Sequence, residues 1–214
     1  MIEELEKRIQ NGIQYRTLEM RAAEPGDGEA SYVVEGYATT YNQPYTLFED
    51  SGLRLREQVA PTAFNEADLG DVIFQFNHSG KVFARTRNNT LIVRPDERGL
   101  FIRADLSGTE GGKELYNEIR GGYVDRMSFA FGVDGDAQTR SEADGIADYL
   151  RTITRIKKVY DVSAVSIPAN DETSISARSY LDGIREAEKA EAQRKQAAAE
   201  REEKLETLKR MLIC

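Results

Sequence analysis

The sequence contains a single cysteine, and it is the last residue, Cys214. One cysteine cannot form an intrachain disulfide or a thiol-based zinc site, so disulfide scaffolds and zinc fingers are excluded and a reducing compartment is predicted. No apolar run reaches the roughly 18 residues that a membrane-spanning helix needs. We therefore expect no segment of the sequence to cross a membrane.

Positive charge is in the minority. The chain has 29 Lys and Arg against 37 Asp and Glu, a formal net charge of −8, which argues against nucleic acid as the main partner. The beginning MIEELEKRIQ is acidic and amphipathic, unlike the basic start of a signal peptide, so no signal peptide is predicted. No glycine-rich phosphate-binding loop occurs, and we expect no metal or nucleotide cofactor.

The distribution of apolar and charged residues divides the chain into three regions. In residues 1–29, Ile2, Leu5, Ile9 and Ile13 recur at helical spacing, which predicts a short N-terminal helix or arm. Residues 181–214 are dense in mixed charge and contain few large apolar side chains, which predicts a long, solvated helical extension. The region between them, residues 30–180, is predicted to be the globular domain.

Short alternating runs predict that this domain is mainly β. The runs are SYVVEGYATTY, LRLREQVA, DVIFQFNH, TLIVRP, GLFIRADL, RMSFAFGV, YLRTITRIKKVY and DVSAVSIPA. PDERG predicts a hairpin turn, and PTAFNEADL and TEGGKELYNEIRGG predict two helices. Helices around antiparallel strands favour a closed or nearly closed antiparallel β-barrel surrounded by helices.

The acidic stretch VDGDAQTRSEADGIAD is predicted to be a long hairpin loop. Its Asp134 and Asp136 suggest a calcium site, but their spacing does not match the EF-hand pattern. A solvated loop is therefore the favoured interpretation.

His78 is the only histidine in the chain. Alternation along a strand would place it on one apolar face with Val72, Phe74 and Phe76, just before a loop at Ser79. It is either a half-buried residue bonded to a backbone carbonyl or a general base, because no cysteines accompany it to make a zinc site.

A base needs a nucleophile, and Ser128 in DRMSFAFGV is the candidate. Other serines lie in predicted turns, whereas Ser128 shares a strand face with Ala130 and Gly132. Small neighbours leave room for a substrate beside the hydroxyl. The alternative is a serine that merely fills space on a strand.

Asp161 is a charged residue inside an apolar run, on a predicted face with Val159, Ser163, Val165 and Ile167. Buried aspartates are rarely unpaired, so its partner is either His78 or a lysine or arginine. With His78 as partner, Asp161 would be the third member of a Ser–His–Asp triad.

Several segments, in order, resemble the phage prohead proteases, the capsid-maturation serine proteases of tailed phages, which share a fold with the herpesvirus assemblins. The matching segments are EGYATTYNQPY, VAPTAF, FQFNHS, GGYVDRMSFAF and DVSAVSIPAN. Together they span about residues 30–180. The resemblance implies a barrel surrounded by helices, with Ser128 and His78 catalytic.

The same resemblance carries further expectations. The herpesvirus relatives have a second histidine in a strand that reads HVS, where this chain reads DVS, which puts Asp161 in the third catalytic position. By position, the oxyanion hole would be formed near Ala169 and Asn170. The expected substrates are the scaffold, the major capsid protein and the protease itself, inside the immature procapsid in the bacterial cytoplasm. The assemblins are dimers, so a homodimer is expected.

The alternative function is a non-enzymatic capsid assembly or scaffold protein whose charged tail binds the shell. The position of the only histidine favours the endopeptidase, because a scaffold has no need to place it beside a serine motif.

Overall fold

A computed structural model describes residues 13–23, 32–50, 52–143, 145–166, 186, 189–202 and 204. The chain divides into two units, residues 1–176 and residues 177–214. The described residues of the second unit are helical and exposed. The full length of that helix and the domain limits at residues 30 and 180 stay predictions. No helix of the described chain is both long and apolar enough to span a membrane.

The first unit contains ten strands and one α-helix among its described residues. They are β1 (Ile13–Ala22), β2 (Val33–Thr40), β3 (Tyr45–Asp50), β4 (Leu53–Val59), β5 (Ile73–Phe76), β6 (Ser79–Arg85), β7 (Leu91–Pro95), β8 (Gly99–Asp105), α1 (Glu110–Arg120), β9 (Arg126–Ala143) and β10 (Ile146–Val165). A short 3₁₀ helix, Thr86–Asn88, links β6 to β7.

The strands form one mixed sheet in the order β3-β4-β10-β9-β1-β2-β8-β7, and the β5–β6 hairpin joins it through β10. The strand β10 pairs in parallel with both β4 and β5, and the other pairs are antiparallel. The prediction of a mainly β fold is confirmed. The sheet is mixed rather than purely antiparallel, and over the described residues its strand order is open rather than closed into a barrel.

The N-terminal strand β1 corrects a prediction. Ile13 was expected in a helix or arm, but Ile13–Ala22 lies in the sheet between β9 and β2. The segment IQYRTLEM carries β-branched and aromatic residues at alternate positions, a period of two that favours a strand over a helix. The other predicted helix positions, Ile2, Leu5 and Ile9, lie outside the described residues.

The predicted acidic loop is in fact the continuous hairpin of β9 and β10. Each acidic residue that was weighed as a calcium ligand forms an ion pair with a basic residue of the opposite strand. Asp134 Oδ2 lies 2.9 Å from Arg155 Nε, and Asp136 Oδ2 lies 2.7 Å from Arg151 Nε. Cross-strand pairs of opposite charge stabilise a polar ladder, so the strands continue where composition alone suggested a loop. The described residues contain no cluster of three or more acidic, His or Cys side chains suited to a metal.

The two predicted helices have different outcomes. The segment TEGGKELYNEIRGG forms α1, and the Thr109 side chain caps it by accepting from the Gly112 N–H at 3.0 Å. Leu115 and Ile119 are buried, as their spacing predicted. The segment PTAFNEADL forms successive turns instead of a helix. Burial of Phe64 in the core fixes this segment by tertiary packing rather than by helix propensity.

The apolar core lies on one face of the sheet near the predicted site. Phe74 of β5, Val162 of β10 and Phe129 of β9 are in register across three adjacent strands, and none is exposed. Side chains alternate between the two faces, so the neighbours of these residues along each strand point away from the core. Ser128 is one of these neighbours.

A buried ion cluster joins strands that are not adjacent. Glu57 of β4 is fully buried and bonds Arg16 of β1 in bidentate fashion, with Nε–Oε1 at 2.6 Å and Nη2–Oε2 at 2.8 Å. Its Oε2 also accepts from Arg151 Nη1 at 2.9 Å, and its Oε1 accepts from the Tyr45 hydroxyl at 2.6 Å. Two strands separate β1 from β4 in the sheet, so contact between Arg16 and Glu57 requires the sheet to curl.

The electrostatics of this cluster favour an ionised Glu57. Burial alone raises the pKa of Glu57, but the charge and hydrogen bonds of Arg16, together with the charge of Arg151, lower it by more. Its pKa therefore lies below the ordinary value of 4.5. Burial and the charge of Glu57 raise the pKa of Tyr45 well above its usual range, so the phenol keeps its proton and donates.

The substitution Glu57→Gln is expected to destabilise the domain by about 3–5 kcal/mol near neutral pH, because it leaves the charge of Arg16 buried without its carboxylate. A folded-state pKa below the unfolded one means that the stabilisation is complete above about pH 4.5 and is lost as the pH falls through the folded-state value. The difference in unfolding free energy between wild type and variant should therefore shrink in acid. Chemical denaturation at several pH values measures it.

The control is Glu49→Gln. Glu49 lies on the edge strand β3, and its exposed carboxylate pairs with Arg54 of β4. Exposed ion pairs contribute little, so this variant should unfold close to wild type at every pH. A Glu57→Gln variant as stable as the control would show that the buried cluster does not stabilise the fold.

Candidate active site

His78 lies in a tight turn at the tip of the β5–β6 hairpin. Phe76 pairs with Ser79, and the two residues between them, Asn77 and His78, have φ of 50° and 53°. Two-residue hairpins of type I′ require positive φ at both central positions, where Asn and His are tolerated better than most residues. The prediction that His78 continues the face of Phe74 and Phe76 is therefore wrong: it has left the strand, and the turn directs its ring.

The turn is tied to the end of β10. The Asn77 N–H donates to the Ala164 carbonyl at 2.9 Å, and the Asn77 side-chain oxygen accepts from the Ser166 N–H at 3.1 Å. These bonds and the parallel pairing of β5 with β10 fix the hairpin tip beside the strand that carries Asp161.

Ser128 lies on β9 between two paired strands. It is in register with Thr17 of β1 on one side and Ser163 of β10 on the other. The residue is fully buried, on the face of the sheet opposite Phe129.

A β-bulge places Asp161 on the same face as Ser128. The register of β10 against β9 shifts between Val159 and Asp161, so that Val159 pairs with Phe131 while Asp161 pairs with Ala130. A bulge inserts one extra residue and reverses the alternation beyond it. The predicted sharing of a face by Val159 and Asp161 is therefore wrong, whereas Ser163 does lie on the face of Asp161. Ile167 lies outside the described residues.

The three predicted side chains meet in one line of hydrogen bonds. His78 Nδ1 lies 2.5 Å from Asp161 Oδ1, and His78 Nε2 lies 2.7 Å from Ser128 Oγ. Ser128 on β9 is 50 positions from His78 along the chain, and Asp161 on β10 is 83 positions from it. Of the partners that the sequence left open for Asp161, His78 is thus the one that its carboxylate contacts.

The hydrogen-bonding roles follow from the chemistry of the groups. An ionised carboxylate only accepts, so Nδ1 of His78 carries the proton that it donates to Asp161. In the neutral imidazole Nε2 is then an acceptor, and the hydroxyl of Ser128 donates to it. A serine that donates to an oriented imidazole is poised for removal of its proton.

Two buried neighbours of the triad were not predicted as part of the site. The ring of Tyr15, on β1, packs edge-on against the His78 imidazole, with centroids 4.6 Å apart and planes at 72°. The Ser163 hydroxyl donates to Asp161 Oδ1 at 2.9 Å. Ser163 could have been found from its position two residues after Asp161 on one strand face. Tyr15 could not, because its segment was predicted to be an arm.

The predicted oxyanion-hole residues, Ala169 and Asn170, lie outside the described residues. Their role stays a prediction.

Comparison with known proteins identifies a matching family, a curated relative and a similar solved structure. The sequence model of a family described as caudovirus prohead serine protease matches residues 16–186. The prohead protease of Enterobacteria phage HK97 is 29% identical over 163 residues, covering 74% of this chain and 65% of that relative's length. The solved structure of the bacteriophage T4 capsid assembly protease covers 72% of this chain and 96% of its own, at 12% identity and a TM-score of 0.38, which is a weak overall likeness.

Proposed function

Because the chain belongs to the caudovirus prohead serine protease family, we propose that it is a serine endopeptidase that cleaves capsid and scaffold proteins, and itself, during procapsid maturation. The observation that supports this most is the continuous hydrogen-bonded line from Ser128 through His78 to Asp161. The order of these residues matches the roles that acyl transfer requires: a nucleophile, a general base and a carboxylate that orients the base.

The proposed reaction begins at Ser128. Its Oγ attacks the scissile carbonyl while His78 Nε2 takes the hydroxyl proton, and the C–N bond then breaks as His78 returns that proton to the leaving amine. Water attacks the resulting acyl-enzyme by the same route in reverse, which regenerates Ser128. Asp161 holds the imidazole and stabilises its positive charge in both steps.

The negative charge on the carbonyl oxygen needs donors as well. We assign this role to backbone N–H groups near Ala169 and Asn170, where the resemblance to the assemblins puts it. Removing one such donor typically costs roughly 3 kcal/mol in transition-state stabilisation.

The proposed setting is the interior of the immature procapsid in the host cell, with the major capsid protein and the scaffold as substrates. The similar proteins from phages HK97 and T4 are described as a prohead protease and a capsid assembly protease. A homodimer belongs to the same proposal.

Co-expression with the major capsid protein and scaffold tests the proposal directly. Mass spectrometry should find new termini in those partners and in the protease, and a fluorophosphonate should modify Ser128. Intact partners together with an unmodified Ser128 would rule the enzyme out and favour the assembly role.

The substitution Asp161→Asn should lower kcat by about 10⁴-fold, because the amide keeps the shape of the side chain but loses the charge that supports the imidazolium. Steady-state cleavage of a peptide taken from a mapped site measures it. The matched control is Asp148→Asn, which removes a carboxylate from the same strand that is paired with Arg56 away from the triad. An Asp161→Asn rate equal to that of the control would move the third role to another acceptor.

A further inference from the structure

We propose that Ser163 is a positioning residue of this active site, which acts through Asp161 to hold His78 in register with Ser128. This inference rests on the proposed function for its catalytic consequence, but its structural part is independent of it. The observation that supports this inference is that Asp161 Oδ1 accepts hydrogen bonds from both His78 Nδ1 and the Ser163 hydroxyl.

The surroundings of Ser163 leave its hydroxyl little freedom. It lies near the end of β10, is in register with Ser128 of β9 and Gln75 of β5, and is fully buried. A buried hydroxyl needs a partner for its single proton, and here that partner is the Asp161 carboxylate at 2.9 Å. Hydrogen bonds to a charged acceptor are the stronger kind.

The effect of this bond is geometric. A carboxylate rotates easily about the bond that joins it to its side chain, because that torsion has a broad energy profile. Two donors that meet at Oδ1, His78 Nδ1 at 2.5 Å and Ser163 Oγ at 2.9 Å, fix the rotation and keep this oxygen directed at the imidazole. Without Ser163 the carboxylate can turn, and the imidazole loses its fixed orientation toward Ser128.

A merely structural reading treats Ser163 as a small residue that fits between packed strands. In that case, loss of the hydroxyl would alter the stability of the protein, and the size of that effect would be the same with and without the Asp161 carboxylate. The two readings therefore differ in coupling: a positioning role disappears when the Asp161 carboxylate is removed, whereas a packing role does not.

The kinetic test uses Ser163→Ala, with Thr39→Val as the control because Thr39 is another buried hydroxyl, on β2. We expect Ser163→Ala to lower kcat about 10- to 100-fold, the equivalent of one hydrogen bond to a charged group, with KM nearly unchanged. Thr39→Val should leave both constants near wild type. Ser163→Cys, which has a weak donor of similar shape, should fall between wild type and Ser163→Ala and can be used if the alanine variant is poorly folded.

A spectroscopic test works without turnover, because His78 is the only histidine and its imidazole signals need no assignment among several. NMR of ¹⁵N-labelled full-length protein follows the proton on Nδ1. Ser163→Ala should shift this resonance and speed its exchange with water, and should cause no further shift when Asp161→Ala, which removes both carboxylate oxygens, is already present.

The outcomes separate the two proposals. An unchanged His78 resonance, or an equal shift with and without the Asp161 carboxylate, would overturn the positioning role whether or not the protein is a protease. A shifted resonance in a protein that cleaves nothing would instead retain the positioning geometry and overturn the proposed function. An active wild type with an unaffected Ser163→Ala kcat would also overturn the role of Ser163.

Discussion

Ser128→Ala should reduce cleavage on the order of a millionfold, the typical cost of removing the nucleophile of a triad. The substitution deletes one oxygen at a buried position, and the hydroxyl of Ser128 is the group that the proposed reaction uses to form the acyl bond. Packing is little affected, so the thermal unfolding midpoint should stay near that of wild type. Mass spectrometry of co-expressed capsid protein measures the remaining processing.

Ser141→Ala is the matched control, because Ser141 lies on the same strand but is exposed and pairs with Asp148 far from the triad. It should process capsid protein at the wild-type rate. Normal processing by Ser128→Ala would end the serine-protease interpretation, whereas loss of processing in both variants would indicate a folding defect of the strand.

Removal of the imidazole should be nearly as severe, since loss of the base and loss of the nucleophile cost about the same in a working triad. His78→Ala is a poor choice by itself, because His78 has a φ of 53° and alanine resists that left-handed conformation. His78→Asn is better, because asparagine tolerates positive φ and already occupies the neighbouring turn position, Asn77. We expect both variants to lose activity and only the alanine variant to lose stability.

The pH dependence of the wild type provides an independent check on the same residue. His78 accepts the Ser128 proton only while Nε2 is unprotonated, so kcat/KM should fall once acid protonates this nitrogen. A kcat/KM that stays constant down to the pH at which the protein unfolds would show that His78 is not the base.

The three proposed catalytic residues were predictable because each is unusual in its own context. His78 is unique in the chain, Ser128 has small neighbours on its strand face, and Asp161 interrupts an apolar run. The order of the surrounding motifs then indicated the family, and the matching family model confirms that assignment. The contacts of His78 with Ser128 and Asp161 could not be predicted from the sequence. His78 lies in a turn, and a turn lacks the regular residue spacing that identifies strands and helices.

The fold was predictable where the signal was local. Alternation identified most of the strands, and residue spacing identified α1, but β1 was assigned to a helix or arm on the few apolar positions before it. The bulge before Asp161 was also missed, since one added residue leaves the apolar composition of β10 unchanged. The parallel pairing of β10 with β5 joins segments far apart in sequence. Such a pairing cannot be predicted from the pattern within a short segment.

The strand β1 also has a consequence for the timing of folding during synthesis. The end of β1 near Ala22 pairs with β2, which follows directly, but Ile13 pairs with Gly132 of β9, which is synthesised only after most of the domain has followed. At about 5–20 residues per second, that delay is roughly ten seconds. Pairings between such distant segments have a high contact order and form slowly. Asp161 is synthesised later still, so translation itself delays the moment at which Ser128, His78 and Asp161 can meet and the proposed activity can begin.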